Sequence, residues 1–267
     1  MEKNLEAVLG VRFLATEYST GPKHGGRIDS PGLDEDGCPV IVEYKRATNQ
    51  NVINQGLYYL DWLLDHQAEF KLLVMEKLGV ELGDTLDWKG VRLVCVAGDY
   101  TKFDQHAVQQ INRNIDLVSY IRYGDDLLLL ELVNARQTVS EDGGGIGTSD
   151  TGKGKARAKA EAAARVENLR VGLREFLLSL GDNVVEKPLK LYTAYRSMKN
   201  FACVWQGKSE LCVWVKVDPD TIDLEENFTR DVRKIGHWGT GDLEITLRSM
   251  SDLEKAKPLL IRSYEGK

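Results

Sequence analysis

Gly25-Gly26-Arg27-Ile28-Asp29-Ser30-Pro31-Gly32-Leu33-Asp34-Glu35-Asp36-Gly37-Cys38-Pro39-Val40-Ile41-Val42-Glu43-Tyr44-Lys45 is the stretch on which the fold turns. A glycine pair breaks the chain, and Arg27–Asp29 then reads as a short strand. Leu33-Asp34-Glu35-Asp36-Gly37 is turn chemistry, with Asp-Gly at its end. Pro39–Lys45 has the β-branched content of a second strand. Side chains alternate along a strand, so Glu43 and Lys45 share one face and Tyr44 takes the other. If the two segments pair as a hairpin, Asp29 lies beside Glu43. Two carboxylates and an ammonium then meet at the rim of a sheet.

That grouping suits the hydrolysis of phosphodiesters. Magnesium takes hard oxygen ligands and keeps several waters, so two carboxylates with a backbone carbonyl suffice to hold it. The ion polarises a phosphodiester and lowers the pKa of its water, and a nearby lysine stabilises the charge developing on phosphorus. With no His or Cys in the group, Mg²⁺ or Mn²⁺ is expected rather than zinc. The Asp/Glu-x-Lys pattern by itself is common, with matches at Glu43–Lys45, Glu69–Lys71, Asp87–Lys89 and Glu265–Lys267. Only the first closes an apolar strand with an Asp on a strand before it. The bland alternative is an exposed ion pair at a strand end, worth at most about 1 kcal/mol.

Outward from this stretch, Asn4–Leu9 reads as a short helix and Val11–Tyr18 as a strand. Val52 to Gly79 reads as one long helical segment with Leu57, Leu60, Trp62 and Leu64 among its apolar positions. Val91–Ala97 reads as a buried strand, Asp104–Arg113 as a helix, and Leu117–Arg122 and Leu127–Val133 as further strands. Strands alternating with helices predict an α/β domain. Glu141–Lys155 follows, and six of the twelve residues Gly143–Gly154 are glycine, the composition of a flexible linker. It lacks the order of a phosphate-binding loop, because Gly154 follows Lys153 where Ser or Thr is needed. Beyond it, Ala156–Leu180 reads as a helix. Leu189–Arg196, Phe201–Gln206, Leu211–Val217 and Leu243–Leu247 read as strands, and Leu253–Tyr264 as a closing helix. The expected division is 1–140, a linker at 141–155, and a smaller α+β module at 156–267.

Composition agrees with a globular chain of 267 residues, 42% hydrophobic and 28% charged. The net charge of −6 argues against a broad DNA-coating surface. The imbalance is local. Residues 1–140 hold 14 Lys plus Arg against 21 Asp plus Glu, and the remainder 21 against 20. No apolar run approaches the ~18 residues of a membrane span, and no signal region follows Met1. Cys38, Cys95, Cys203 and Cys212 are scattered without a Cys-x-x-Cys pair, so neither a disulfide framework nor a zinc finger is expected. A cytoplasmic location is expected.

The order of elements resembles the PD-(D/E)XK nuclease superfamily, in its RecB-like and NucS-like branch. The resemblance covers roughly the first 100 to 135 residues. It runs from Glu6 through Gly26-Arg27-Ile28-Asp29 and the Asp34–Gly37 turn to Val42-Glu43-Tyr44-Lys45-Arg46. It continues into Asn54-Gln55-Gly56-Leu57-Tyr58-Tyr59, which resembles the Gln-x-x-x-Tyr motif of that branch. The residue before Asp29 is Ile28 rather than proline, a departure from the superfamily's pattern. The resemblance implies a restriction-endonuclease-like mixed sheet flanked by helices. It also implies a metal-dependent DNA endonuclease acting in repair or against foreign DNA. Asp29, Glu43 and Glu6 become metal ligands, Lys45 the catalytic lysine, and Gln55 an active-site residue. Arg27, Arg46, Gln55 and Tyr59 become nucleic-acid contacts. The alternative is a nucleic-acid-binding or interaction protein that keeps the fold without turnover. An RNA- or nucleotide-directed hydrolase is a third, weaker reading.

In the second half, Val232–Leu243 gathers His237, Trp238 and three glycines into a shaped loop. Trp238 can stack on a base there or fold back into the core, and Arg230, Arg233 and Lys234 are expected to add positive charge. This half resembles an uncharacterised domain at the C-terminus of bacterial and archaeal proteins often labelled "predicted transport protein". A transport role is not expected without a membrane segment. DNA is the expected partner. A homodimer, and a protein partner for the C-terminal half, are both compatible with the sequence.

Overall fold

A computed structural model describes residues 1–45, 52–124, 126–136 and 153–266, which belong to two compact units, Met1–Val139 and Ser140–Lys267. The first unit runs α1 (Leu5–Leu9), β1 (Val11–Phe13), β2 (Tyr18–Ser19), α2 (Gly21–His24), β3 (Arg27–Ile28), β4 (Ser30–Asp34) and β5 (Pro39–Lys45). It continues through α3 (Val52–Asp65), α4 (Gln67–Leu78), α5 (Val80–Asp84), β6 (Arg92–Ala97), α6 (Lys102–Gln110), β7 (Asn114–Tyr123) and β8 (Leu127–Arg136).

Six strands form a mixed sheet in the order β1-β4-β5-β6-β7-β8. β5, β6 and β7 are parallel and the outer pairings antiparallel. All six residues of β6 are buried, as a central parallel strand requires. Ile41, Leu93, Cys95, Ile115 and Leu117 pack with Leu60, Trp62 and Leu63 of α3 and Phe70 of α4. Close approach of α3 to β6 depends on Gly56, where a Cβ would meet the Leu93 side chain at 2.6 Å. At the end of the sheet away from Lys45, Arg92 is 3% exposed and bonds Asp116 at 2.8 Å, with Asp34 at 3.9 Å. A guanidinium so far from water persists only because two carboxylates face it.

The second unit runs α7 (Lys153–Ser179), β9 (Val185–Pro188), β10 (Thr193–Arg196), β11 (Asn200–Gln206), β12 (Leu211–Val215), β13 (Thr229–Asp231), β14 (Leu243–Leu247) and α8 (Met250–Glu265). Its antiparallel sheet has the order β13-β14-β12-β11-β10-β9. Leu169, Leu173 and Leu177 of α7 and Leu253 and Leu260 of α8 pack on Val204, Val213 and Ile245. No helix among the described residues is long and apolar enough to cross a membrane.

The mixed α/β class is as expected, and the departures are local. The strand expected over Val11–Tyr18 splits into β1 and β2, and Glu17 between them has a φ of 45°. The helix expected over Val52–Gly79 breaks at His66, whose φ of −112° and ψ of 38° are not helical. The His66 ring stacks on Trp62 at 4.8 Å and its Nδ1 lies 2.8 Å from the Trp62 carbonyl. Apolar residues continue on both sides of that break, so periodicity alone runs through it. The strand expected from Leu189 begins only at Thr193, after a turn in which the Leu189 N–H donates to the Tyr192 carbonyl. α2, β4, β9, β13 and α5 were not expected: β4 takes in Leu33 and Asp34 of the expected turn and pairs with β5, whereas the strand expected at Arg27–Asp29 ends at Ile28 and pairs with β2. Lys153–Lys155, expected in the linker, form the first turn of α7, and residues 141–152 lie outside the described residues.

Candidate active site

Antiparallel pairing of β4 and β5 sets Ser30 opposite Val42, which carries Asp29 to the level of Glu43. The Asp29 N–H donates to Glu43 Oε1 at 3.0 Å, and the Tyr44 N–H donates to Asp29 Oδ2 at 2.8 Å. Each carboxylate is thus held by the other strand's backbone. Asp29 is tied further by its carbonyl, which accepts from the Glu17 N–H at 2.9 Å. Glu17 adopts the left-handed backbone conformation that a non-glycine residue occupies at a cost of about 1–3 kcal/mol.

Glu43 is fully buried, which removes the exposed ion-pair reading. Its Oε2 has no hydrogen-bond partner among the described residues. Burial pushes its carboxyl up to about 8; the Asp29 N–H opposes this, the Asp29 charge adds to it, and Lys45 offsets part. Lys45 lies two residues on along β5 and is half-buried. A buried oxygen with no donor, beside a second carboxylate, is a donor set that a hard divalent cation fits.

Asp29 opens on a cleft of about 590 Å³ lined by Glu17, Ser19, Gly21, Pro22, Gly25, Gly26, Arg27, Gln55 and Tyr59. Tyr59 organises one wall. Its hydroxyl accepts from the Arg27 N–H at 3.2 Å and from Gln55 Nε2 at 3.2 Å. A Cβ at Gly26 would stand 2.6 Å from the Tyr59 ring, so only glycine lets this loop lie against the helix. Gln55 and Tyr59, one turn apart on α3, therefore come together beside Asp29.

Other expected residues lie apart from this group. Glu6 is exposed on α1; Glu2 is the N-terminal carboxylate that reaches the sheet, accepting from the Ser30 hydroxyl at 2.9 Å. Among the described residues, no three His, Cys, Asp or Glu side chains gather to hold a metal. The third ligand expected at Glu6 is thus not brought to the pair: α1 buries Leu5 and Leu9 and leaves Glu6 exposed. The Arg27 side chain is exposed and paired with Glu17 at 2.7 Å. Arg46 lies outside the described residues. The His24 ring, beside Gly25, packs on Tyr58 and His66. Sequence reasoning missed Ser19, Gly21 and the structural part of Glu17. The only signal for them was the glycine density between Gly21 and Gly26.

In the second unit, Trp238 is 52% exposed and leans on Trp205 at 5.9 Å, while His237 stacks on Trp214. Two of the expected cations are neutralised: Arg233 is held by Asp220 and Asp231, and Arg230 pairs with Glu244. Lys234 remains exposed.

Residues 158–267 match the family described as a domain of unknown function (DUF5655). An uncharacterized protein of Haemophilus influenzae is 26% identical over 270 residues, spanning 97% of this chain and 88% of its own. Among solved structures, a chain of the complex of EndoMS with double-stranded DNA is similar at 20% identity and a TM-score of 0.26. That similarity covers 46% of this chain and 42% of the other, and it bears no weight on the site.

Proposed function

We propose that the first unit is a divalent-metal-dependent nuclease that hydrolyses phosphodiester bonds in DNA. The observation that carries this reading is the buried Glu43 Oε2, which has no donor among the described residues and lies beside Asp29, itself part of the lining of an open cleft. A buried carboxylate that is only partly compensated costs folding free energy, and a pure binding protein gains nothing from one facing a phosphate. Asp29 and Glu43 would hold Mg²⁺ or Mn²⁺, which when bound supplies Lewis-acid polarisation of the phosphodiester. Lys45, on the same strand face as Glu43, stabilises the negative charge that develops on the phosphoryl oxygens. Gln55 and the Arg27 backbone, both fixed by the Tyr59 hydroxyl, orient the substrate strand along the cleft. Arg27 and Arg46 offset substrate charge.

The test is incubation of the purified chain with labelled single-stranded, duplex, mismatched and branched DNA, with Mg²⁺, with Mn²⁺ and with excess chelator. Cleavage only with added metal is expected. Undiminished cleavage in chelator would refute the two-carboxylate mechanism. One observation favours a binding protein without turnover: the absence, among the described residues, of a third ligating side chain near the pair. Under that reading the chain retains DNA with every metal and cuts none of the panel.

A further inference from the structure

β7 and β8 do not stop where the sheet stops. β6 pairs with β7 only as far as Ala97 opposite Ser119. β7 and β8 continue to pair through Tyr120–Leu130, Ile121–Leu129, Arg122–Leu128 and Tyr123–Leu127. These last pairs form a two-stranded ribbon beyond the third strand, and Gly124, at a φ of 63°, begins its turn. β5, β6 and β7 are parallel, so the ribbon leaves the sheet at the end that carries Glu43 and Lys45.

Alternation places Ile121, Tyr123, Leu127 and Leu129 on one face. They are 45%, 55%, 68% and 46% exposed, so four adjacent large apolar side chains face solvent. Single exposed apolar residues are ordinary; a contiguous patch of roughly 400–500 Å² matches the largest patch on a typical monomer, and such patches often serve an interaction.

We propose that this face is a dimerisation arm, occupied by the same face of a second copy of this chain. Charge argues against nucleic acid as the occupant. Asp126 and Glu131 flank the patch, and Arg122 falls on the opposite face of the ribbon. Without cations the patch cannot offset a phosphate backbone. Area is sufficient for a second copy. Covering the patch on both chains removes about 1,000 Å² with its rim, the lower bound for a specific interface. A two-fold contact brings identical surfaces together, so one patch supplies both halves.

The proposal does not rest on the nuclease reading, because association is measured without metal or substrate. Sedimentation velocity of the full chain between ~1 and 100 µM should show a monomer–dimer equilibrium. Leu127→Lys with Leu129→Lys should raise the dissociation constant at least tenfold and leave the unfolding midpoint unchanged at concentrations low enough that both proteins are monomeric. Hydrogen exchange of the unaltered protein should slow across residues 119–131 as concentration rises. A monomer at every concentration, or a dimer indifferent to the double substitution, overturns the proposal. So does a monomer with the ribbon already protected, since the chain's own second unit would then be the occupant. A monomer whose double variant loses duplex DNA affinity overturns it in favour of a nucleic-acid contact.

Discussion

Glu43→Gln tests the buried carboxylate without reference to catalysis. The amide keeps the size of the side chain and an oxygen to accept the Asp29 N–H, and it removes the charge. In the metal-free protein the carboxyl moves from its ordinary 4.5 to about 8, chiefly through burial. Each unit is 1.36 kcal/mol, so the ionised form costs the fold about 5 kcal/mol. Below the unfolded value neither state is ionised and the cost is absent. Between 4.5 and about 8 the unfolded chain releases a proton that the folded chain retains, so rising pH favours unfolding. The slope there is about 1.4 kcal/mol per pH unit, and it vanishes once both states are ionised. Urea unfolding in chelator, from pH 5 to pH 9, should show the wild-type protein losing stability relative to Glu43→Gln across that window. At pH 9 the variant should be more stable by several kcal/mol. Saturating Mg²⁺ should restore the wild-type protein and leave the variant nearly unmoved, since metal bound to the folded state stabilises by mass action. Parallel pH–stability curves for the two proteins in chelator would refute the claim that Glu43 is a buried acid whose charge is only partly compensated.

Lys45→Ala should lower cleavage by at least ~100-fold while Mg²⁺ still raises the unfolding midpoint, because it removes a charge stabiliser and no ligand. Cleavage at the wild-type rate would return Lys45 to an ordinary surface role. Tyr59→Phe removes the acceptor of two hydrogen bonds and should cost about 1–3 kcal/mol by urea unfolding, with kcat falling as the Gly26–Arg27 wall loosens. Asp116→Ala takes its 2.8 Å partner from buried Arg92 and leaves Asp34 at 3.9 Å, and should cost about 3–5 kcal/mol in the same assay. Trp238→Ala should cost about 1–3 kcal/mol by urea unfolding, because half of the residue is covered and its ring leans on Trp205. If Trp238 stacks on a base, DNA affinity in a fluorescence titration should fall by about 1–3 kcal/mol.

Local chemistry was enough to place the central elements. The β-branched run Pro39–Lys45 forms a strand with the expected bounds, as does Leu243–Leu247, because burial on both faces selects such residues directly. Alternation along β5 puts Asp29 beside Glu43 only if the segment before the Asp-Gly turn pairs with β5, and the strand that does so is Ser30–Asp34, immediately after Asp29. What tertiary structure decided lies where contact between distant segments overrides local preference. The divided first strand goes with Glu17 bonding to the Asp29 carbonyl, whereas the helix break at His66 is marked by a local contact, its ring stacking on Trp62, that apolar periodicity does not register. Glu6 and Glu2 are equivalent as letters, yet only Glu2 reaches Ser30. Arg230 and Arg233 read as free positive charge until the fold places aspartates and a glutamate around them. Above all, the burial of Glu43 Oε2 depends on strands and helices separated by tens of residues. That no described residue donates to it is visible only in the folded chain.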